Sequence, residues 1–149
     1  MQMALDVAKE AYRAEEVPVG AILVKKGKVI ATGKNQREGL QDPTAHAEIL
    51  AIRAAAKTLR SWRLTDTTMY VTLEPCAMCA GAIIQSRVMR LVYGTHDPKA
   101  GACGSICDLT AEPRFNHRVI VQSGMLADNC RQLLQKFFQH LRETQPAST

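Results

Sequence analysis

The chain has 149 residues, of which 46% are hydrophobic and 22% charged, with a net charge of +5 and a pI near 9.1. That length suits one domain able to bury about two-thirds of its unfolded surface, and the positive balance has the sign expected for a partner built of phosphates. Apolar runs fall far short of the roughly 18 residues that span a bilayer, and Asp6, Lys9 and Glu10 come too early for a signal-peptide core; five cysteines, an odd number, argue against a disulfide framework and for a reducing compartment, the cytoplasm.

In chain order, residues 1–14 predict an amphipathic helix with Leu5, Ala8 and Tyr12 on one stripe beside Met1 or Ala4. Residues 19–24 and 28–32 read as strands joined by a Lys-Lys-Gly turn, a hairpin. A polar loop over 33–43 leads to a helix expected to be capped by Thr44 and to run from Ala45 to about Lys57. Residues 68–73 form a strand delivering Glu74 and Pro75 to another helix, which continues through Gln85. A strand over 90–93 ends at Gly94. From 95 to 117 the pattern breaks into a glycine-bearing loop with a short helix near 105–110. A strand over 118–122 and a terminal helix over 127–142 follow, and the tail from about 143 is expected to fray. Long excursions before the late strands predict parallel pairing. The expectation is a mixed sheet with helices on both faces in one α/β domain over 1–149, with no internal repeat.

Two short stretches carry the chemistry: His46-Ala47-Glu48, and Pro75-Cys76-Ala77-Met78-Cys79 beginning 27 residues after Glu48. Cys76 and Cys79 are three apart and share one helix face, with Pro75 suited to the turn just before a helix start. A helix N-terminus and a bound cation both favour thiolates. His46 completes a three-ligand set of the kind that leaves a catalytic zinc one position for water. Residues two apart lie about 200° apart around a helix, so His46 and Glu48 converge only at a helix tip. Glu48 is read as the proton carrier rather than a ligand. Alone, the Cys-x-x-Cys pair also suits a redox pair, half a structural zinc site or two core cysteines. The joined pattern His-x-Glu and Pro-Cys-x-x-Cys is that of zinc nucleobase deaminases.

The chain resembles the bacterial tRNA-specific adenosine deaminases, the TadA group of the cytidine-deaminase-like superfamily, from its first helix to about Phe138. The likeness is carried by Glu16-Val17-Pro18-Val19-Gly20-Ala21, by Asp42-Pro43-Thr44 before the His46 motif, by Thr72-Leu73-Glu74 before Pro75, and by Val92-Tyr93-Gly94 with Asp97-Pro98-Lys99-Ala100-Gly101. Phe115-Asn116-His117-Arg118 adds to it. The resemblance implies a three-layer α/β/α fold on a mixed five-stranded sheet, a homodimer, one Zn2+ per chain, and conversion of adenosine to inosine at the wobble position of a tRNA anticodon stem-loop, that of an arginine tRNA. By position, Asn35 and the Ala47 amide would hold the purine, and Asp97, Lys99, Asn116 and the Phe137-Phe138 region would line the path of the neighbouring nucleotides.

Each of these also has a structural reading. Asn35 suits a turn, Phe137 and Phe138 suit a helix core, and Asp97 suits a turn before Pro98. Two other functions stay open: a deaminase of a small free base or nucleoside such as guanine or cytosine, and a non-catalytic zinc-dependent RNA-binding module. Where many relatives carry a strongly basic tail, residues 131–149 hold only Arg131, Lys136 and Arg142 against Glu143, which implies fewer phosphate contacts. Cys103, Cys107 and Cys130 are expected to be packing residues.

Overall fold

The structure is a computed structural model that describes residues 1–145. Five strands form one sheet: β1 (Gly20–Lys25), β2 (Lys28–Lys34), β3 (Thr67–Leu73), β4 (Arg90–Thr95) and β5 (Ile120–Ser123), in the spatial order β2-β1-β3-β4-β5. The hairpin closes as the Lys-Lys-Gly sequence predicts. Lys25 pairs with Lys28, leaving Lys26 and Gly27 as a two-residue turn with φ of 50° and 75°. Positive φ at both central positions matches the twist of the flanking strands. β1 also pairs antiparallel with β3, whereas β3–β4 and β4–β5 are parallel. The mixed sheet of the sequence reading is thus the one observed.

Helices α1 (Gln2–Arg13) and α5 (Ala127–Thr144) pack on one face; α3 (Ala47–Leu59) and α4 (Ala77–Gln85) cover the other. Small residues set the spacing of these layers. On α3, Ala47, Ala51 and Ala55 recur every four residues and form one buried stripe. Opposite them lies Gly33 of β2, where an added Cβ would sit 2.2 Å from the Ala47 carbonyl oxygen and 2.6 Å from the Ala51 nitrogen. Helix and strand therefore touch backbone to backbone at the tip of α3 that carries His46 and Glu48. Gly33→Ala is expected to cost about 1–3 kcal/mol by overpacking. Thermal melting together with metal content checks this, the expected outcome being a lower Tm and reduced metal retention.

Several boundaries differ from expectation. Thr44 does not cap α3: its amide and hydroxyl both donate to Asp42 Oδ1, at 2.8 and 2.7 Å, in a local turn. The helix begins two residues later, with His46 as its N-cap in an extended conformation. The loop over 33–43 contains a short helix, α2 (Arg37–Leu40), whose Glu38 and Gly39 amides donate to the buried carboxylate of Glu16. No α-helix forms over 105–110; the Ser105 amide and hydroxyl bond Glu74, and a single 3-10 turn spans Leu109–Ala111, capped by the Asp108 side chain, which accepts from the Ala111 amide. α5 continues through Thr144, past the predicted onset of fraying, and residues 146–149 of that expectation lie outside the described residues. Cys103 and Cys130 are buried as expected, but Cys107 is exposed. No helix among the described residues is long and apolar enough to cross a membrane.

Candidate active site

The site lies where β3 and β4 end. α4 follows β3 directly, and the N-terminal tips of α3 and α4 meet there. His46 and Cys76 are the N-cap residues of these helices, and neither side chain caps its own helix. The first intrahelical bonds are Leu50 N–H to the His46 carbonyl and Ala80 N–H to the Cys76 carbonyl. The N–H groups before them have no helical partner and leave positive partial charge at both tips. An N-cap side chain projects off the helix end, so His46 and Cys76 point at one another across the junction, and Cys79 joins from the first turn of α4.

His46 Nδ1 lies 3.6 Å from Cys76 Sγ and 3.4 Å from Cys79 Sγ, and all three ligand atoms fall within 4.8 Å of one another. Metal–nitrogen and metal–sulfur distances of about 2.0–2.1 and 2.3 Å at a tetrahedral angle place nitrogen and sulfur roughly 3.6 Å apart. The cluster fits a tetrahedral divalent ion. In the protein alone the two thiols are joined by a hydrogen bond. The bond from Cys79, helped by His46, pulls the Cys76 thiol down to about 4, and the same bond together with burial pushes Cys79 up. A cation bound by both takes the place of that bond. The His46 ring is pushed upward chiefly by its bond to Cys76.

Glu48 is buried beside this cluster and is not one of its three ligands. Its pKa is raised, chiefly by loss of solvent. It also lines a cavity of about 490 Å³, the size of a small-molecule site, whose walls include Val17, Val19, Leu73, Leu134 and Phe138. Asn35, Ala47, Asp97 and Lys99 line the same cavity. The Asn35 side chain donates to the Val17 carbonyl at 3.2 Å and accepts from the Arg37 amide at 3.3 Å. That leaves it one donor and one acceptor for a base edge.

The two phenylalanines separate: Phe137 is core, edge-on to Tyr12, whereas Phe138 is 43% exposed at the cavity wall. Asn116 is not among the cavity residues. Its neighbour His117 bonds the Val88 carbonyl at 2.7 Å, and β5 starts opposite Arg90, so Asn116 lies by the far end of β4 from Thr95. His96 and Glu74 line the cavity without having been picked out as site residues. Burial alone would raise the Glu74 pKa, but bonds from the Ser105 hydroxyl and the Asp97, Ser105 and Cys103 amides outweigh it and hold the carboxyl below its usual range. The available sequence signal was a carboxylate wedged between an apolar strand and a proline.

A second groove of about 610 Å³ shares His96, Pro98, Lys99, Leu134 and Phe138 with the first. It continues along α5 past Arg131, Leu141 and Arg142, and among the described residues no carboxylate lines it.

Two helix tips carrying His-x-Glu and Pro-Cys-x-x-Cys at one end of a five-stranded mixed sheet define the cytidine-deaminase-like fold and the site of a nucleobase deaminase. The chain belongs to the MafB19-like deaminase family, whose model matches residues 1–142, and within it to the group of the tRNA-specific adenosine deaminases. It is 48% identical to the tRNA-specific adenosine deaminase of Bacillus subtilis over 99% of this chain and 92% of that protein. A solved structure from work on A-to-I editing by tRNA:A34 deaminases at the wobble position of transfer RNA superposes with a TM-score of 0.86. It has 44% identity and covers 89% of this chain and 96% of its own. A guanine deaminase from Nitrosomonas europaea shares the fold with a TM-score of 0.77 at 26% identity, over 91% of this chain and 81% of that one.

Proposed function

We propose that this protein hydrolytically deaminates adenosine to inosine at the wobble position of a tRNA anticodon, as one domain over 1–149 holding one Zn2+ on His46, Cys76 and Cys79. The observation that carries this is a base-sized cavity that brings Asn35, Ala47 and Glu48 together with a three-ligand metal cluster, in a chain nearly half identical to tRNA-specific adenosine deaminases. Zinc suits two thiolates and an imidazole in a tetrahedron, and when bound it supplies the acidity that makes water nucleophilic near neutral pH.

Glu48 takes the proton of the attacking water and delivers it to ring N1, which lowers the electron density of the purine as carbon 6 is attacked. It then takes the remaining proton from the hydroxyl added at carbon 6 and passes it to the amine, so that the C–N bond breaks, ammonia leaves and the 6-oxo base remains. A carboxyl raised by burial is poised for both transfers. Asn35 and the Ala47 amide orient the purine. The apolar walls exclude bulk water from a base that has left its stack, a step that costs little in a single-stranded anticodon loop.

Asp97, Lys99 and Phe138 face the flanking nucleotides, with Phe138 offering an exposed ring for stacking. The groove along α5, lined by Lys99, Arg131 and Arg142, supplies phosphate contacts. Among the described residues, neither Lys99 nor Arg142 makes an ion pair, so both charges are available. Lys99→Ala and Arg142→Ala are each expected to weaken stem-loop binding and to flatten its dependence on log salt by about 0.7. Titrations at several salt concentrations measure this; slopes equal to wild type would place the RNA elsewhere. Asn116 lies outside this path within one chain.

The exposed side chains of Met78, Ile106 and Phe115 suit the homodimer that the resemblance implies, and five cysteines without a disulfide suit the cytoplasm. The direct test is to incubate zinc-loaded protein with an arginine-tRNA anticodon stem-loop bearing a wobble adenosine and to measure inosine by nucleoside mass spectrometry. Inosine is expected. Turnover of guanine or cytosine without RNA, and none of the stem-loop, would replace this reading with the small-substrate deaminase.

A further inference from the structure

The Glu74 side chain is wholly removed from solvent, immediately before the Pro75-Cys76 start of α4, and no step of the chemistry uses it. A buried carboxylate is tolerated only where hydrogen bonds replace its water. Oε1 accepts the Asp97 amide at 3.0 Å and the Ser105 hydroxyl. Oε2 accepts the Cys103 amide at 3.1 Å and the Ser105 amide at 3.0 Å. His96 Nδ1 also lies 3.4 Å from Oε1, and the four amide and hydroxyl donors belong to one segment, 97–105, which forms a wall of the base cavity at Asp97, Lys99 and Ala100.

That segment is a tight turn closed on itself, with Asp97 Oδ1 accepting the Lys99 and Ala100 amides. Its far side has no room to slide. A Cβ at Gly101 would lie 2.3 Å from the Glu74 carboxyl carbon, and the Ala102 amide donates to the Pro75 carbonyl at 2.9 Å. The turn is thereby joined to the two residues that precede the metal ligand Cys76.

We propose that Glu74 is a positioning residue: its carboxylate clamps both ends of the 97–105 turn and so holds the wall that faces the flanking nucleotides at a fixed distance from the reacting base. This rests on the deaminase reading above, and the role falls on substrate binding rather than on proton transfer. Glutamine at this position keeps the volume but exchanges one acceptor for an NH2 donor, which then confronts backbone N–H donors at one end of the turn.

The test compares E74Q, S105A, K99A and the E74Q/K99A double variant by backbone hydrogen exchange, by kcat and KM on the anticodon stem-loop, and by zinc content. In E74Q, exchange is expected to quicken about tenfold across 97–105 and to stay unchanged in α3 and α4. KM should rise about tenfold, with kcat altered less than about twofold and zinc still near one per chain. S105A, which removes one neutral bond and spares the charge, is expected to move KM the same way by about two- to threefold and carries the test if E74Q does not fold. In the K99A background, E74Q should raise KM less than about threefold, since a contact placed by the turn is already gone. A fall in kcat at constant KM, zinc lost in step with activity, or the full tenfold effect on top of K99A would overturn the proposal. If wild-type protein makes no inosine, the deaminase reading fails separately. Exchange in E74Q then decides: quickening confined to 97–105 supports the clamp, and no change overturns it.

Discussion

Glu48→Ala is expected to lower deamination of the stem-loop by about 10²–10⁴-fold, the usual range for a positioned proton carrier, while zinc stays at one per chain. Nδ1 of His46 and the two sulfurs already make a complete three-ligand set, and the Glu48 carboxyl sits beside it within the base cavity. Burial raises its pKa above that of an exposed carboxyl, and truncation removes the group that carries the proton. Elemental analysis beside single-turnover rates separates the roles. Zinc lost along with activity would make Glu48 a ligand, and full activity without it would leave a metal-dependent binding module.

The second large effect is expected from Cys76→Ser or His46→Ala, each of which should abolish zinc retention and lower stability. Both residues are N-caps of helices whose free amides face the cluster, and in Cys76→Ser the positive tip of α4 also loses the thiolate beside it. For a ligand that binds only the folded state, zinc held at about 1,000 times its Kd contributes about 4 kcal/mol, and that contribution disappears in the variants. Chelating the wild-type protein should reproduce much of the shift in Tm. Full metal content in Cys76→Ser would show that the ligand set is wrong.

Which parts of this molecule were legible in the sequence follows from how local their causes are. The hairpin turn at Lys26-Gly27 and the Cys76–Cys79 spacing depend on neighbours two or three residues away. Parallel pairing of β3, β4 and β5 followed from the length of the connections. The cap of α3 was misplaced because Thr44 has a competing local acceptor in Asp42, a choice that propensity does not decide. In the 95–117 stretch, residues 97–105 resisted reading because they are bonded to Glu74, which is remote in sequence from the amides it binds. Adjacent Phe137 and Phe138 could not be sorted into core and cavity wall without the packing of α5 against Tyr12. Asn116 drew its assignment from a motif resemblance, and the anchoring of His117 at Val88 carries it away from the cavity.

The groups proposed as metal ligands, proton carrier and base readers all lie between residues 35 and 79, on two helix tips and, for Asn35, just past the end of β2, with the tip of α3 in backbone contact with the sheet. The wall and groove proposed to face the flanking strand come from residues 95–142, on a turn and on one side of the last helix. Reaction and admission are thus written in separate parts of the chain. Variation in the later part can retune which nucleic acid is accepted, while the earlier part, where even a methyl group at Gly33 does not fit, keeps the chemistry constant. A scaffold divided in this way can acquire new substrates without having to reinvent its reaction.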